Sequence, residues 1–171
     1  MKLPTRLFLT SVAIAILSLL VSSMLASWTL RRQVLERIES SLVAETRLVA
    51  ELLSRRGPLS ADVDLDDEAD TLGAHVSARV TLIDRAGAVV GDSAEDGAAL
   101  GAMENHGRRP EVVMARQGGL GLVQRYSTTV NETLLYTAVP VEHPAIAFVR
   151  LALPLTAVDE QLDAVTRATV S

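Results

Sequence analysis

The sequence predicts an α+β chain in which an N-terminal transmembrane helix continues into a long stalk helix and then a domain with a five-stranded antiparallel sheet and flanking helices. Three observations carry this. No charged residue falls between Leu7 and Leu30. No Gly or Pro interrupts the chain from Gln33 to Arg56. Beyond Ala78, short β-branched, alternating runs are separated by turn residues at close intervals.

The bulk numbers agree. At 171 residues the chain suits one modest domain plus an anchor. Charge is unevenly spread: Lys2, Arg6, Arg31 and Arg32 stand without an acid in the first 32 residues, leaving 12 basic against 21 acidic side chains in the rest. A nucleic-acid face needs clustered Lys and Arg, and here the arginines are scattered and Lys2 is the only lysine. With no cysteine, a disulfide framework, a thiolate nucleophile and a Cys-based zinc site are all excluded.

Taken in order, residues 1–6 form a short basic end, expected on the cytoplasmic side. Residues 7–30 span a hydrocarbon core of roughly 30 Å at about 1.5 Å per residue. Trp28 stands at the far interface, and Arg31 and Arg32 close the run. A cleaved signal peptide would have a shorter apolar core and an A-x-A-like site, and Met24-Leu25-Ala26 lacks a small residue at its first position. The run therefore reads as an anchor, with the acid-rich remainder outside the cytoplasm.

Residues 31–56 read as the stalk, ended by Gly57-Pro58. Leu35, Ile38, Leu42, Val49 and Leu52, with Glu45 as an acidic interruption, are spaced as a heptad seam. Such a stripe packs either on the chain's own domain or on the same helix of a second subunit; a homodimer is the expectation.

Residues 57–155 form the outer domain. Asp62–Asp70 holds six acids in nine residues but lacks the order of a calcium loop, so it reads as a solvated helix start, with Leu65, Ala69, Leu72 and Val76 on one face. Arg79–Asp84 and Ala88–Gly91 form a hairpin around Arg85-Ala86-Gly87. Pro110 opens a short helix that Gly118-Gly119 closes. Gly121–Thr128 and Thr133–Val141 form a second hairpin, and Ala145–Leu153 is a last, buried strand. Residues 156–171 read as a helix heading back toward the membrane.

The sheet order resembles that of extracytoplasmic PAS-like (single Cache) sensors. The more specific residues are Asp92-Ser93-x-x-Asp96, then Met103-Glu104-Asn105-His106-x-x-Arg109-Pro110-Glu111, Arg125-Tyr126-Ser127, Leu135-Tyr136, and Val149-Arg150-Leu151-Ala152-Leu153-Pro154-Leu155. On these the chain resembles the N-terminal half of a phosphate-regulon-type sensor histidine kinase, with Gly97–Ala102 as a slightly expanded loop. The resemblance implies a second membrane span, a HAMP linker and a kinase module beyond Ser171, a response regulator as partner, and ATP and Mg only for that module. No phospho-accepting histidine motif or Gly-rich ATP lid lies in these 171 residues, so no catalytic residue or cofactor is expected here. The same sensor fold also serves chemoreceptors and cyclic-dinucleotide enzymes, and a single-span scaffold is a further alternative.

Candidate ligand or signalling-loop residues are Asp92, Ser93, Asn105, His106, Arg108, Arg109, Glu111, Arg125, Tyr126 and Tyr136. Those of the loop lie beside a helix N-terminus, which favours anions; they equally suit a set of hydrogen bonds that ties the loop down. The two tyrosines and Arg125 suit either a pocket wall or half-buried cross-strand neighbours. A zinc site at His106 would need two or three more ligands, and only carboxylates are near, so no metal is expected. The ligand, a small molecule or a protein, is left open.

Overall fold

A computed structural model of the chain describes residues 3–55, 64–76, 78–127 and 131–155. The expected helix over 156–171, the Gly57-Pro58 stop and the tip of the second hairpin at 128–130 lie outside the described residues. By its internal contacts the chain divides into two units, Met1–Ser40 and Ser41–Ser171.

The first unit is helical throughout its described length, as the start of α1 (Leu3–Arg55). It holds an 18-residue window apolar enough to cross a membrane, with none of that window buried. Leu17, Leu19, Leu20, Met24 and Leu25 all face outward. The hydroxyls of Ser11, Ser18 and Thr29 donate back to the carbonyls of Phe8, Ile14 and Leu25 at 2.8–2.9 Å. Such back-bonding hides polar groups that hydrocarbon would not solvate. The Arg32 guanidinium lies 5.2 Å from the Trp28 ring centre.

In the second unit the rest of α1 buries a stripe of Leu42, Thr46, Val49, Ala50 and Leu53, spaced as one helical face. Two of the five residues expected at a seam between subunits, Leu42 and Val49, belong to this buried stripe. Leu42 and Val49 are each 2% exposed within the chain's own core, whereas Leu35 and Leu52 are 37% and 45% exposed and Ile38 is half-buried.

Helix α2 (Leu65–His75) begins at Asp64, whose carboxylate accepts from the Asp66 amide at 2.9 Å. Acids at Asp66, Asp67 and Glu68 complement its N-terminal dipole. Then come β1 (Arg79–Ile83), β2 (Val89–Asp92), α3 (Gly97–Gly101), α4 (Pro110–Gly118), β3 (Gly121–Ser127), β4 (Glu132–Pro140) and β5 (Phe148–Pro154). The strands form one sheet in the order β2-β1-β5-β4-β3, with every neighbour pair antiparallel. The five strands, the antiparallel sheet and the flanking helices are those the sequence predicts.

Two details differ. Gly97–Ala102, expected as loop, contains the short α3. The last strand begins at Phe148 rather than Ala145, because Pro144 bends the chain and the Ala145 amide closes that bend on His143 Nδ1 at 3.2 Å.

Both faces of the sheet are buried, so β4 and β5 read as nearly continuous apolar runs. By register, one face carries Thr81, Ile83, Leu134, Tyr136, Ala138, Phe148, Arg150 and Ala152. Helix α4 covers part of it, with Val112 and Ala115 against Ile83, Ala138 and Phe148. Gly121 permits that approach: a Cβ there would stand 1.8 Å from the Glu111 carbonyl oxygen. The other face, with Val80, Leu82, Leu135, Val139, Val149 and Leu151, is buried as well, and α1 is tied to the segment after β4 by the Glu142 amide donating to Ser54 Oγ at 3.1 Å. Helix α2 guards edge strand β2: Asp66 Oδ1 accepts the outward Asp92 amide at 3.0 Å.

Candidate ligand site

On the α4 face of the sheet, one polar row crosses all five strands. Arg125 (β3), Tyr136 (β4), Arg150 (β5), Thr81 (β1) and Asp92 (β2) share that face by register. Glu111 descends onto it from the first turn of α4, where Pro110 sets the helix start and Gly121 below leaves room. Glu111, Thr81 and Asp92 are each 0% exposed and Arg150 is 5% exposed.

Buried charges persist only when paired, and these are. Arg150 Nε donates to Glu111 Oε1 at 2.8 Å, and Arg125 Nη2 stands 3.6 Å from the same oxygen. Arg150 Nη1 donates to Thr81 Oγ1 at 3.4 Å, and that hydroxyl donates to Asp92 Oδ2 at 2.8 Å. Arg79 Nε donates to Asp92 Oδ1 at 2.7 Å. The guanidiniums of Arg125 and Arg150 each lie 4.3 Å from the Tyr136 ring centre, a double cation–π contact. Burial lowers the pKa of Arg150, and the Glu111 carboxylate opposes the shift. Two buried atoms of this cluster have no hydrogen-bond partner among the described residues: Glu111 Oε2 and Arg125 Nε.

Beside the row, at the end of the sheet where β1 and β4 begin and β2 and β5 end, a groove of about 890 Å³ opens. Its wall is mostly apolar, with Leu134, Ala152 and Pro154 from the sheet and Ala74, Val76 and Ala94 around the mouth. Asp70, Arg79 and Glu132 supply charge and Ser93 a hydroxyl. The volume falls within the range of small-molecule sites. Desolvation and then repulsion from Asp96, Asp66, Asp67 and Asp92 raise the Asp70 pKa above its ordinary value.

The structure divides the candidate residues into four groups. Glu111, Arg125 and Tyr136 join the buried row, as does Asp92, which also accepts from the Ala94 amide. Ser93 lines the groove while its Oγ accepts from the Val80 amide at 2.9 Å. Asn105, His106 and Arg109 tie the loop before α4. Asn105 Nδ2 donates to the Ala86 carbonyl and its Oδ1 accepts from the Gly107 amide, both at 2.9 Å. Arg109 Nη2 donates to Glu104 Oε2 at 3.2 Å. The His106 ring is buried, with Nδ1 2.7 Å from the Glu104 carbonyl. Its pKa is lowered by burial first, an effect the Glu104 carbonyl opposes and Arg150 and Arg109 reinforce.

Arg108 is exposed. Tyr126 leaves the expected pocket wall: strand alternation puts it on the face opposite Arg125, 56% exposed, with its hydroxyl donating to Asn131 Oδ1 at 2.5 Å. The sequence reading missed Arg150, Thr81 and Arg79 and the groove's Asp70 and Glu132. Only Arg150 carried a signal, a lone cation inside the apolar run Ala145–Leu153.

A five-stranded antiparallel sheet in this order with flanking helices is a Cache-type sensor fold, and the sequence agrees. Residues 33–153 match the Single Cache-like family, and the chain belongs to it. A comparison of the sequence with curated proteins returned no match. In fold the chain is similar to the ligand-binding domain of the Campylobacter jejuni chemoreceptor Tlp3 in complex with 4-methylisoleucine (TM-score 0.58, 10% identity, 73% of this chain and 54% of that one). It is also similar to the ligand-binding domain of the Pseudomonas aeruginosa PAO1 amino-acid chemoreceptor PctC in complex with GABA (TM-score 0.50, 15% identity, 71% and 56%). A third similar structure is the Escherichia coli DcuS sensor domain (TM-score 0.53, 15% identity, 73% and 97%). The chain thus spans about half the length of the two chemoreceptor domains and nearly all of the DcuS domain. Identities this low speak to the fold alone.

Proposed function

We propose that the chain is the membrane-anchored, extracytoplasmic sensor portion of a two-component sensor histidine kinase. A small molecule enters the groove at the sheet end, and the response reaches the membrane through α1. One observation carries this reading: α1 holds both the apolar window and the stripe Leu42–Leu53 that belongs to the sensor core. A ligand that reshapes the sheet acts on a core to which α1 contributes, and small helix displacements are an established means of crossing a bilayer with a signal.

The run Met103-Glu104-Asn105-His106-x-x-Arg109-Pro110-Glu111 supports the phosphate-regulon type within that class. In this reading a homodimer forms through the outward residues of α1, of which Leu35 and Leu52 are exposed. The kinase module, with its ATP, Mg and response regulator, lies outside these 171 residues.

A chemoreceptor is the second reading, supported by the similarity to the Tlp3 and PctC domains. Membranes bearing the natural full-length protein, incubated with labelled ATP and Mg, separate the two. Acid-labile label on a histidine is expected; a protein that folds in the membrane yet takes no label sinks the kinase reading and leaves the receptor.

A further inference from the structure

The groove has a charge character of its own. Its interior is apolar, yet Asp70 and Glu132 stand in its lining. Asp66, Asp67, Asp92 and Asp96 lie close enough to Asp70 to raise its pKa. Among the described residues of the lining the one cation is Arg79, and it is already committed, with Nε 2.7 Å from Asp92 and Nη2 3.9 Å from Glu95. Arg125 and Arg150 are drawn away to Glu111 and the Tyr136 ring. A carboxylate entering here meets Asp70 and its acidic surroundings, with no unpaired guanidinium among the described residues of the lining. An ammonium meets the complementary field, and its carbon chain meets Leu134, Ala152, Pro154, Val76, Ala74 and Ala94. The acids do not converge as ligands: no group of three His, Cys, Asp or Glu among the described residues can hold a metal ion.

We infer that the groove takes an organic amine with an apolar body, its ammonium toward the Asp70 side and its chain along the Leu134–Ala152–Pro154 floor. This rests on the sensor reading above and adds the class of ligand. It makes a free carboxylate on the ligand a liability.

Three six-carbon probes differing only in the head group test it: hexylamine, norleucine and hexanoate, titrated calorimetrically into the full chain in detergent or nanodiscs. Hexylamine is expected to bind tightest, with hexanoate weaker by about tenfold or more, the sum of several partly screened charge interactions. Asp70→Asn is expected to weaken hexylamine by roughly two- to fivefold. Ala94→Trp, at an exposed position on the groove wall, is expected to abolish binding without loss of thermal stability.

Norleucine or hexanoate binding as tightly as hexylamine, and blocked by Ala94→Trp, overturns the amine assignment while leaving the groove and the sensor reading in place. Binding by none of the three, or binding that a folded Ala94→Trp chain retains, overturns the groove itself as the ligand site.

Discussion

At the scale of single residues, the Glu111–Arg150 pair governs the domain. Both side chains are buried, and Arg150 also reaches Thr81 and the Tyr136 ring. Removing one member of a buried pair strands the other charge, so Glu111→Ala is expected to destabilise the chain by about 3–5 kcal/mol. Replacing both together, as Glu111→Leu with Arg150→Met, is expected to recover most of that loss, and urea denaturation of the two variants checks both. His106 gives a prediction in pH. Its folded pKa lies below the ordinary 6.5, so the folded chain resists a proton that the unfolded chain accepts. Its contribution to stability is complete above pH 6.5 and is lost as the pH falls from there toward the lower folded value. The thermal midpoint of His106→Gln is therefore expected to fall less steeply below pH 6.5 than that of the parent. Glu111, Arg125 and Tyr136 were legible as site candidates because their types suit a polar site. Arg150 was hidden within a strand read as core, and no local pattern says that a buried cation will find its carboxylate 39 positions away.

At the scale of elements, the stalk shows where sequence spacing stops being informative. A 3-4 repeat of apolar residues marks one helix face, but the face looks the same whether a sheet or a second helix covers it. Here Leu42, Val49 and Leu53 are buried within the chain itself, while Leu48 and Leu52 remain 58% and 45% exposed. Leu53→Ala is accordingly expected to destabilise by about 2–5 kcal/mol, and Leu48→Ala by less than about 0.5 kcal/mol, in thermal or urea unfolding. Comparable losses for the two would contradict the core assignment. The strands and α4 were legible because their boundaries rest on local chemistry: Pro110 at the helix start, and Gly119 at φ 76° as a left-handed cap. The face on which Tyr126 lies was fixed by register, which alternation reveals only once the pairing with β4 is known.

At the scale of the whole molecule, the apolar window made a candidate membrane helix legible, and the order of short alternating strands made the sensor fold legible. The groove was not, because it joins Asp70 of α2, Ser93 beyond β2, Glu132 of β4 and Pro154 of β5, residues that only the topology brings to one sheet end. If the exposed face of α1 pairs two copies, single cysteines at Leu35 and Leu52 are expected to cross-link in membranes, whereas cysteines at the buried Leu42 and Val49 are not. The account stands first on the sensor domain facing away from the cytoplasm. Because the chain has no native cysteine, single-cysteine labelling in intact cells with a membrane-impermeant maleimide reads this directly. Ala94→Cys, on the groove wall, is expected to label in intact cells, and Thr5→Cys only after the cells are permeabilised. Labelling of Thr5→Cys but not Ala94→Cys in intact cells would contradict the account.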